Sequence, residues 1–148
     1  MNYRMITYLL GIILLIEAAL MVFPIIVALC YKESILPFVL TMAIAVALAV
    51  VPLIFKPKNR RIYAKDGFIT VAIGWILLSA LGALPFVFSG VIPNYVDAFF
   101  ESVSGFTTTG ASILTAVEPL PRCMLMWRSF THWVGGMGVL VFIMAFIP

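Results

Sequence analysis

Three threonines and a glycine at residues 107–110, called here the threonine segment, combine residue types that can line a path for a dehydrated cation. The residues from Ala98 to Val103 follow a helical pattern, and Gly105 is expected to end that helix because glycine tolerates a sharp reversal. Threonine is β-branched and favours extended backbone. Non-helical backbone at membrane depth is stable only where it is buried in protein or lines a watery path. An extended segment there can present rows of backbone carbonyls, which can replace an ion's hydration shell.

The composition of the chain is that of an integral membrane protein. Of its 148 residues, 64% are hydrophobic and 10% are charged, and the mean hydropathy is +1.20. A soluble domain averages roughly 25% charged residues. The net charge of +3 and the pI near 9.1 would suit a nucleic-acid-binding protein, but the position of the charges argues against one. Five of the nine basic residues lie in one loop between apolar segments: Lys56, Lys58, Arg60, Arg61 and Lys65.

Four apolar segments predict four transmembrane helices, at residues 5–31, 35–55, 68–88 and 123–147. Each is long enough for a hydrocarbon core of about 30 Å. Between the third and fourth lie a pore helix that begins at Asn94 or Tyr95 and the threonine segment, which cannot each span and are expected to form a re-entrant loop. The predicted fold is an all-α membrane protein with four transmembrane helices plus a re-entrant pore helix and filter loop between the third and fourth.

The basic loop at residues 56–66 sets the predicted topology. An excess of lysine and arginine between two spans marks a cytoplasmic loop, so alternation places both termini in the cytoplasm and the threonine segment towards the outside of the plasma (inner) membrane. The loop either contacts anionic lipid or a cytosolic subunit, or serves only as a topology signal.

Glu17 and the two cysteines are the remaining reactive groups of the apolar segments. A carboxyl near mid-membrane is costly, so Glu17 is either an ion or proton site or a hydrogen-bonded interhelical carboxyl. Pro24 in the same segment is expected to kink the helix. Cys30 and Cys123 form no ligand cluster, and are either unrelated thiols or a disulfide near the outer face.

Two sequence matches carry a resemblance to a known family. Residues 104–112, SGFTTTGAS, resemble the filter of the first repeat of the TrkH/KtrB-type potassium uptake proteins, and residues 128–142, RSFTHWVGGMGVLVF, resemble the start of the helix that follows it. Thr108, Thr109 and Gly110 stand where tetrameric potassium channels have the Thr-Val-Gly of their TVGYG loop, but Ala-Ser replaces the Tyr-Gly. The family carries four helix–loop–helix repeats in one chain, and this chain has room for one.

The resemblance implies potassium translocation as the N-terminal part of a channel-like uptake transporter. Residues 1–55 would form an N-terminal helix hairpin, residues 56–66 the cytoplasmic loop, and residues 67–148 one helix–pore–helix repeat. The resemblance also implies a homodimer and a cytosolic nucleotide-binding regulatory subunit, besides the remaining pore repeats and membrane lipid. No cofactor is expected other than the transported K⁺, and no nucleic acid.

The residues expected to coordinate K⁺ are Thr107, Thr108, Thr109 and Gly110, through their carbonyls and a threonine hydroxyl. Gly105, Glu101 and Arg128 are expected to support the filter, with the carboxylate bracing the following helix; in the alternative, Arg128 lies near the pore and repels cations. A glycine cluster in the last helix provides either flexibility or close packing; its members are Gly135, Gly136 and Gly138.

Two other function classes remain open at this point. The chain could be a non-conducting membrane assembly subunit or remnant, or a secondary transporter with a broken helix at its site. No catalytic triad, paired carboxylates or phosphate loop is visible and His132 is lone, so the chain is not predicted to be an enzyme. The ending of the sequence at residue 148 without a soluble tail favours a truncated chain over four assembled copies.

The topology is testable by single-cysteine labelling in a chain whose Cys30 and Cys123 are replaced by serine. Because the basic loop is predicted to be cytoplasmic, Lys58→Cys should resist a membrane-impermeant maleimide in intact cells and react after permeabilisation. Pro93→Cys, in the predicted outer loop, should react in intact cells and is the control. Labelling of Lys58→Cys in intact cells would show that the topology is inverted.

Overall fold

The computed structural model of the protein describes residues 2–55, 57 and 63–146. Within these ranges the chain is helical and has no strand. The helices are α1 Tyr3–Leu20, α2 Val22–Cys30, α3 Leu36–Ile54, α4 Ala64–Gly82, α5 Leu84–Phe88, α6 Tyr95–Phe106 and α7 Arg122–Phe146. By length and composition, three helical stretches of the described part could cross a membrane: Tyr3–Cys30, Leu36–Ile54 and Ala64–Phe88.

The first helical stretch is broken where the proline predicts a kink. α1 ends at Leu20 and α2 begins at Val22, with Met21 between them. Pro24 lacks an N–H and its ring crowds the carbonyl four residues earlier, which is that of Leu20. The helix that is predicted to kink at Pro24 is interrupted at Met21, about one turn before the proline.

Small residues bring α1 and α3 together. Ala45 and Ala49, one helical turn apart on α3, are fully buried in a cluster with Leu14 of α1. Gly11 of α1 lies against the same face, and a Cβ there would be 3.2 Å from the carbonyl oxygen of Ala49. Residues without bulky side chains allow the two backbones to approach closely, which is how helices associate where lipid is the solvent.

The connection between α3 and α4 is shorter than predicted. The loop was expected to reach residue 66, but α4 already begins at Ala64, so Lys65 and Asp66 lie in its first turn. A carboxylate there is favoured by the partial positive charge of the helix N-terminus, and Asp66 is buried. The loop residues Lys56, Lys58, Arg60 and Arg61 lie outside the described residues.

The loop between α2 and α3 caps α7. The carboxylate of Glu33 accepts hydrogen bonds from the backbone N–H groups of Arg122, at 2.7 Å, and Cys123, at 2.8 Å. Partial burial opposes ionisation of Glu33, but these N–H donors outweigh it and lower the pKa of the carboxyl below its usual value.

Both cysteines are free thiols, Cys30 exposed and Cys123 buried.

The main core forms around Trp127 of α7. Its ring is 1% exposed and packs edge-on against Phe38 of α3 with centroids 6.2 Å apart. Its indole N–H donates to the carbonyl oxygen of Gly82, at 3.0 Å, which satisfies a carbonyl at the end of α4. Phe86 and Phe106 complete the buried aromatic set. The N-terminal hairpin and the later helices therefore share one core.

The glycine cluster of α7 divides into two packing positions and one open position. A Cβ at Gly135 would collide with the backbone of Phe106 at the end of α6, and one at Gly138 would lie 2.8 Å from the indole ring of Trp75. At Gly136 the nearest atom would be Cγ2 of Thr108, at 3.8 Å. Of the two roles predicted for the cluster, this geometry favours close packing at Gly135 and Gly138.

We expect Gly135→Ala to destabilise the protein by about 1–3 kcal/mol, because the added methyl group meets backbone that cannot rotate away. Gly136→Ala is the matched control one residue further along the same helix. It should be neutral or stabilise by up to about 1 kcal/mol, since alanine is the better helix former and has room there. Thermal unfolding of the purified variants measures both, and equal melting temperatures would contradict the close approach of α6 and α7.

Candidate ion-coordination site

The start of α6 is fixed by the residues that the sequence predicts. Asn94 is the N-cap, and its side-chain oxygen accepts the backbone N–H of Val96 at 3.0 Å. Asp97 lies in the first turn, where a negative charge is favoured. The hydroxyl of Tyr95 donates to the carbonyl oxygen of Ala80 on α4, at 3.0 Å. The helix is thereby anchored at the end opposite the threonine segment.

The end of α6 differs from the prediction. The helix does not stop at Gly105 but continues to Phe106, with Thr107 as the C-cap. Gly105 is buried, and a Cβ there would collide with the side chain of Thr131 on α7. The glycine is therefore needed for the contact between α6 and α7, and the chain reverses at Thr108, whose φ is +57°.

The threonine segment is a turn and not the predicted extended strand. The N–H of Thr107 bonds the carbonyl of Val103 and that of Thr108 bonds Gly105, both at 2.9 Å, while the N–H of Thr109 bonds Ser104, also at 2.9 Å. Local bonds at the end of a helix offer the backbone an alternative that outweighs the strand preference of threonine. The hydroxyl of Thr107 also stabilises the turn: it donates to the carbonyl oxygen of Val103 at 2.7 Å and shares a hydrogen bond of 2.8 Å with the hydroxyl of Thr109.

The carbonyl groups of the threonine segment have no partner in the described part of the chain. None of the four accepts a hydrogen bond there, although their amides all donate one, and all four residues are exposed: Thr107, Thr108, Thr109 and Gly110. Backbone carbonyls in folded proteins are usually paired with protein or water. They follow the C-terminus of α6, which carries a partial negative charge of about half an electron. This end of α6 can therefore attract a cation.

A buried carboxylate holds the chain beyond the threonine segment. Glu101 is 2% exposed. Its carboxylate accepts the hydroxyl of Ser112 at 2.9 Å, the backbone N–H of Ile113 at 3.1 Å, and Nε of Arg128 on α7 at 2.6 Å. The structure thus brings Glu101 and Arg128 together in the geometry of the predicted brace. Arg128 is engaged with the carboxylate, which is the geometry expected of the brace and not of a free charge near the pore.

Three hydrogen bonds of the site were not predicted. The hydroxyl of Ser104 donates to the carbonyl of Ala111 at 2.5 Å, and Ser112 and Ile113 donate to Glu101. The sequence signal for Ser104 is its spacing of three from Glu101, which places both on one side of α6. The bonds from Ser112 and Ile113 have no periodic signal because they lie in irregular backbone.

His132 and the acidic residues do not form a metal centre in the described part of the chain. The ring nitrogen Nδ1 of His132 lies 2.9 Å from the carbonyl oxygen of Arg128, within its own helix. In the described ranges no group of three or more His, Cys, Asp or Glu side chains could hold a metal ion.

A known protein family contains the part of the chain that forms the short helix α6, the exposed turn after it and the contact of Glu101 with α7. Residues 34–148 match the TrkH family, described as cation transport proteins. The chain belongs to the TrkH family. It is a multi-pass membrane protein, because the family consists of cation transport proteins and three helical stretches of the described part are long and apolar enough to cross a membrane.

One relative and one solved structure match nearly the whole chain, and a second relative matches more than half of it. The TrkH-family chain is 38% identical to the Trk system potassium uptake protein TrkH of Salmonella typhimurium over 153 aligned residues, covering 100% of this chain and 31% of the relative. It is 43% identical to an uncharacterized cation transporter of Methanocaldococcus jannaschii over 86 residues, or 58% of this chain and 18% of the relative. The crystal structure of the potassium transporter TrkH from Vibrio parahaemolyticus matches with a TM-score of 0.90 and 34% identity, covering 98% of this chain and 32% of that one. This TrkH-family chain spans about a third of the length of the Salmonella and Vibrio proteins.

A double-mutant cycle tests the contact between Glu101 and Arg128. Either Glu101→Gln or Arg128→Gln alone leaves a largely buried charge without its partner and should cost roughly 3–5 kcal/mol of stability. The double variant should regain part of the loss, because both charges are then gone. Thermal unfolding and folded yield are the measurements.

Glu118→Gln is the control for this cycle. Glu118 is exposed, so its change should stay within about 0.5 kcal/mol. Strictly additive losses in the Glu101/Arg128 double variant would show that the two side chains do not interact.

Proposed function

We propose that this chain translocates potassium ions as the N-terminal part of a channel-like uptake transporter. The observation that carries the proposal is the set of four successive unpaired, exposed carbonyls in the threonine segment, next to the negative end of α6. Carbonyl oxygens replace the hydration shell of K⁺ in channel filters. The named activity of the relatives agrees, since both the Salmonella protein and the Vibrio structure are described as potassium transporters.

In this proposal the hydroxyls of the threonines position the carbonyls and do not bind the ion first. The hydroxyl of Thr107 is already engaged with the carbonyl of Val103 and the hydroxyl of Thr109. These bonds hold the reversal and leave the carbonyls of residues 107–110 without a protein partner in the described part of the chain. The ion then loses water to backbone oxygens, and neutral dipoles bind it weakly enough to release it.

The membrane arrangement belongs to the same proposal. α7 has 25 residues, or about 37 Å at 1.5 Å per residue, so it is long enough to be the fourth span. α6 has 12 residues, or about 18 Å, and is too short to cross. It enters and returns as a re-entrant pore helix, with both termini in the cytoplasm of a plasma-membrane protein. Residues 67–148 form one helix–pore–helix repeat, behind the hairpin of residues 1–55 and the basic loop of residues 56–66.

The remaining repeats of the transporter supply the ion ligands that a single threonine segment cannot provide. A single row of carbonyls covers one side of an ion, and the exposed face of residues 107–110 needs further repeats opposite it. The length of the relatives, about three times the part that this chain matches, leaves room for them in the same polypeptide. A homodimer and a cytosolic nucleotide-binding regulatory subunit complete the proposed assembly, which contains no enzyme activity and no cofactor besides the transported K⁺.

Gly110 provides the test of the ion path. Its φ is +78°, and a Cβ there would meet nothing within 4 Å in this chain. Within this chain the constraint at Gly110 is therefore the backbone angle and not the space for a side chain. Gly110→Ser should lower Rb⁺ uptake by a K⁺-uptake-deficient strain, and should lower the Rb⁺ over Na⁺ preference further, because displaced carbonyls favour the partly hydrated ion.

Gly90→Ser is the matched control for this experiment. Gly90 has a φ of +76° and equally open surroundings, but lies in the loop between α5 and α6. It should share any loss of expression that comes from backbone strain and keep the ion preference. Unchanged uptake and preference in Gly110→Ser at equal expression would remove Gly110 from the ion path, and absence of K⁺ flux from liposomes containing the full-length wild-type protein would favour a non-conducting subunit.

A further inference from the structure

Two buried polar side chains, one on α1 and one on α6, have no hydrogen-bond partner in the described part of the chain. Glu17 of α1 is 1% exposed and Ser102 of α6 is 0% exposed. Among the described residues, no hydrogen-bond partner is present for either carboxyl oxygen of Glu17 or for the hydroxyl of Ser102. Buried side chains of this kind are nearly always hydrogen-bonded to protein or to ordered water. Something that the chain itself does not provide is therefore needed between them.

Gly82, at the end of α4, separates the two side chains. A Cβ at Gly82 would lie 2.7 Å from Oγ of Ser102, 2.8 Å from Cε2 of Phe106 and 3.4 Å from Oε1 of Glu17. The hydroxyl and the carboxyl thus border the same space, which only a residue without a side chain leaves open. The carbonyl of Gly82 accepts the indole N–H of Trp127, so it keeps one lone pair for a further donor.

A cavity of about 130 Å³ lies beside Glu17, on the side of α1 and α7, and Glu17 separates it from the space at Gly82 and Ser102, which do not line it. Glu17 and Thr131 are its polar lining, and apolar groups such as Leu78, Phe106 and Trp127 form the rest. Its volume exceeds the roughly 10–15 Å³ that one water needs, but an apolar cavity stays dry unless a water finds two or more polar partners. The polar partners available to a water are the carboxyl of Glu17, in the cavity lining, and the hydroxyl of Ser102, which borders the space beside Gly82.

The charge of Glu17 has no counterpart nearby. Among the described residues the ion pair of the interior is that of Arg128 with Glu101, and Glu17 takes part in none. An unpaired carboxylate in such surroundings costs far more than a neutral acid. A metal cation is a poor alternative, since divalent ions take about six oxygen ligands and the cavity offers fewer.

We propose that Glu17, as a neutral carboxylic acid, and Ser102 bind one or more buried water molecules that join α1 to the back of α6. The acid donates its proton to a water, and the water donates to the hydroxyl of Ser102 or the carbonyl of Gly82. A bridging water is nearly as favourable as a direct hydrogen bond. This water site positions α6 from the side of α4, whereas Glu101 fixes α6 to α7. Glu17 is therefore a positioning residue. It acts on the threonine segment through Ser102, which lies five positions before that segment.

Infrared difference spectroscopy of the full-length protein in lipid nanodiscs tests the site. The wild-type spectrum at neutral pH should contain the carbonyl band of a neutral carboxylic acid that Glu17→Gln removes. It should also contain a buried-water O–H band that shifts in heavy-oxygen water and is lost in both Glu17→Gln and Ser102→Ala. A merely structural role of either side chain would not produce a band that depends on both and on the oxygen isotope of water.

Substitutions on α4 separate loss of the water from loss of the fold. Gly82→Ala places a methyl group in the shared space and should remove the water band, whereas Gly67→Ala, at a position with nothing within 4 Å of the new Cβ, should keep it. Absence of the acid band would mean that Glu17 is ionised and would overturn the proposal. A persistent acid band with no isotope-sensitive water band would overturn it as well.

A density map of the wild-type protein provides a measurement that needs no variant. Density for water within hydrogen-bonding distance of both Glu17 and Ser102 is expected, and an acyl chain or an empty cavity in its place would contradict the proposal. Neither outcome bears on potassium transport, because the carbonyls of residues 107–110 are not part of this cavity.

Discussion

The carboxylate of Glu101 is the contact on which the geometry of the threonine segment depends. It lies one helical turn before the end of α6 and binds three groups that come after the reversal: the hydroxyl of Ser112, the N–H of Ile113 and Nε of Arg128. A neutral hydrogen bond contributes about 1 kcal/mol net, whereas separating a buried charge from its partner costs several times more. The positive φ at Thr108, unfavourable for a β-branched residue, is therefore compatible with a stable fold because the chain is held on both sides of it.

The same ion pair has an electrostatic effect at the threonine segment. Because Arg128 neutralises Glu101, this pair adds no net charge beside the turn. The field from the described part of the chain comes there mainly from backbone dipoles: the C-terminus of α6 and the unpaired carbonyls. In the proposed function this distinction matters, since a fixed carboxylate would hold a cation tightly and slow its release. Neutral oxygens are the ligands expected where an ion must enter and leave quickly.

The sequence predicts the helices well and the turn poorly, for a physical reason. Apolar length, the Asn94 cap and the Pro24 break are local signals, and the structure has all three elements where they indicate. The threonines have an equally clear local preference, but their amides find carbonyls of α6 within reach, and these bonds override it. Gly105 shows the same limit: its local signal is a helix end, whereas its role is a tertiary contact with Thr131 that no spacing in the sequence reveals.

The capping of α7 by Glu33 has a consequence for the order in which the molecule is made. The donors of this contact, Arg122 and Cys123, are separated from Glu33 by 89 and 90 positions. Because synthesis proceeds from the N-terminus, the hairpin that carries Glu33 leaves the ribosome well before α7. When α7 emerges, the carboxylate that accepts its first free amides has already been synthesised. The N-terminal hairpin thus provides the acceptor against which the later helix begins, and without it the backbone N–H groups of Arg122 and Cys123 would lack this partner.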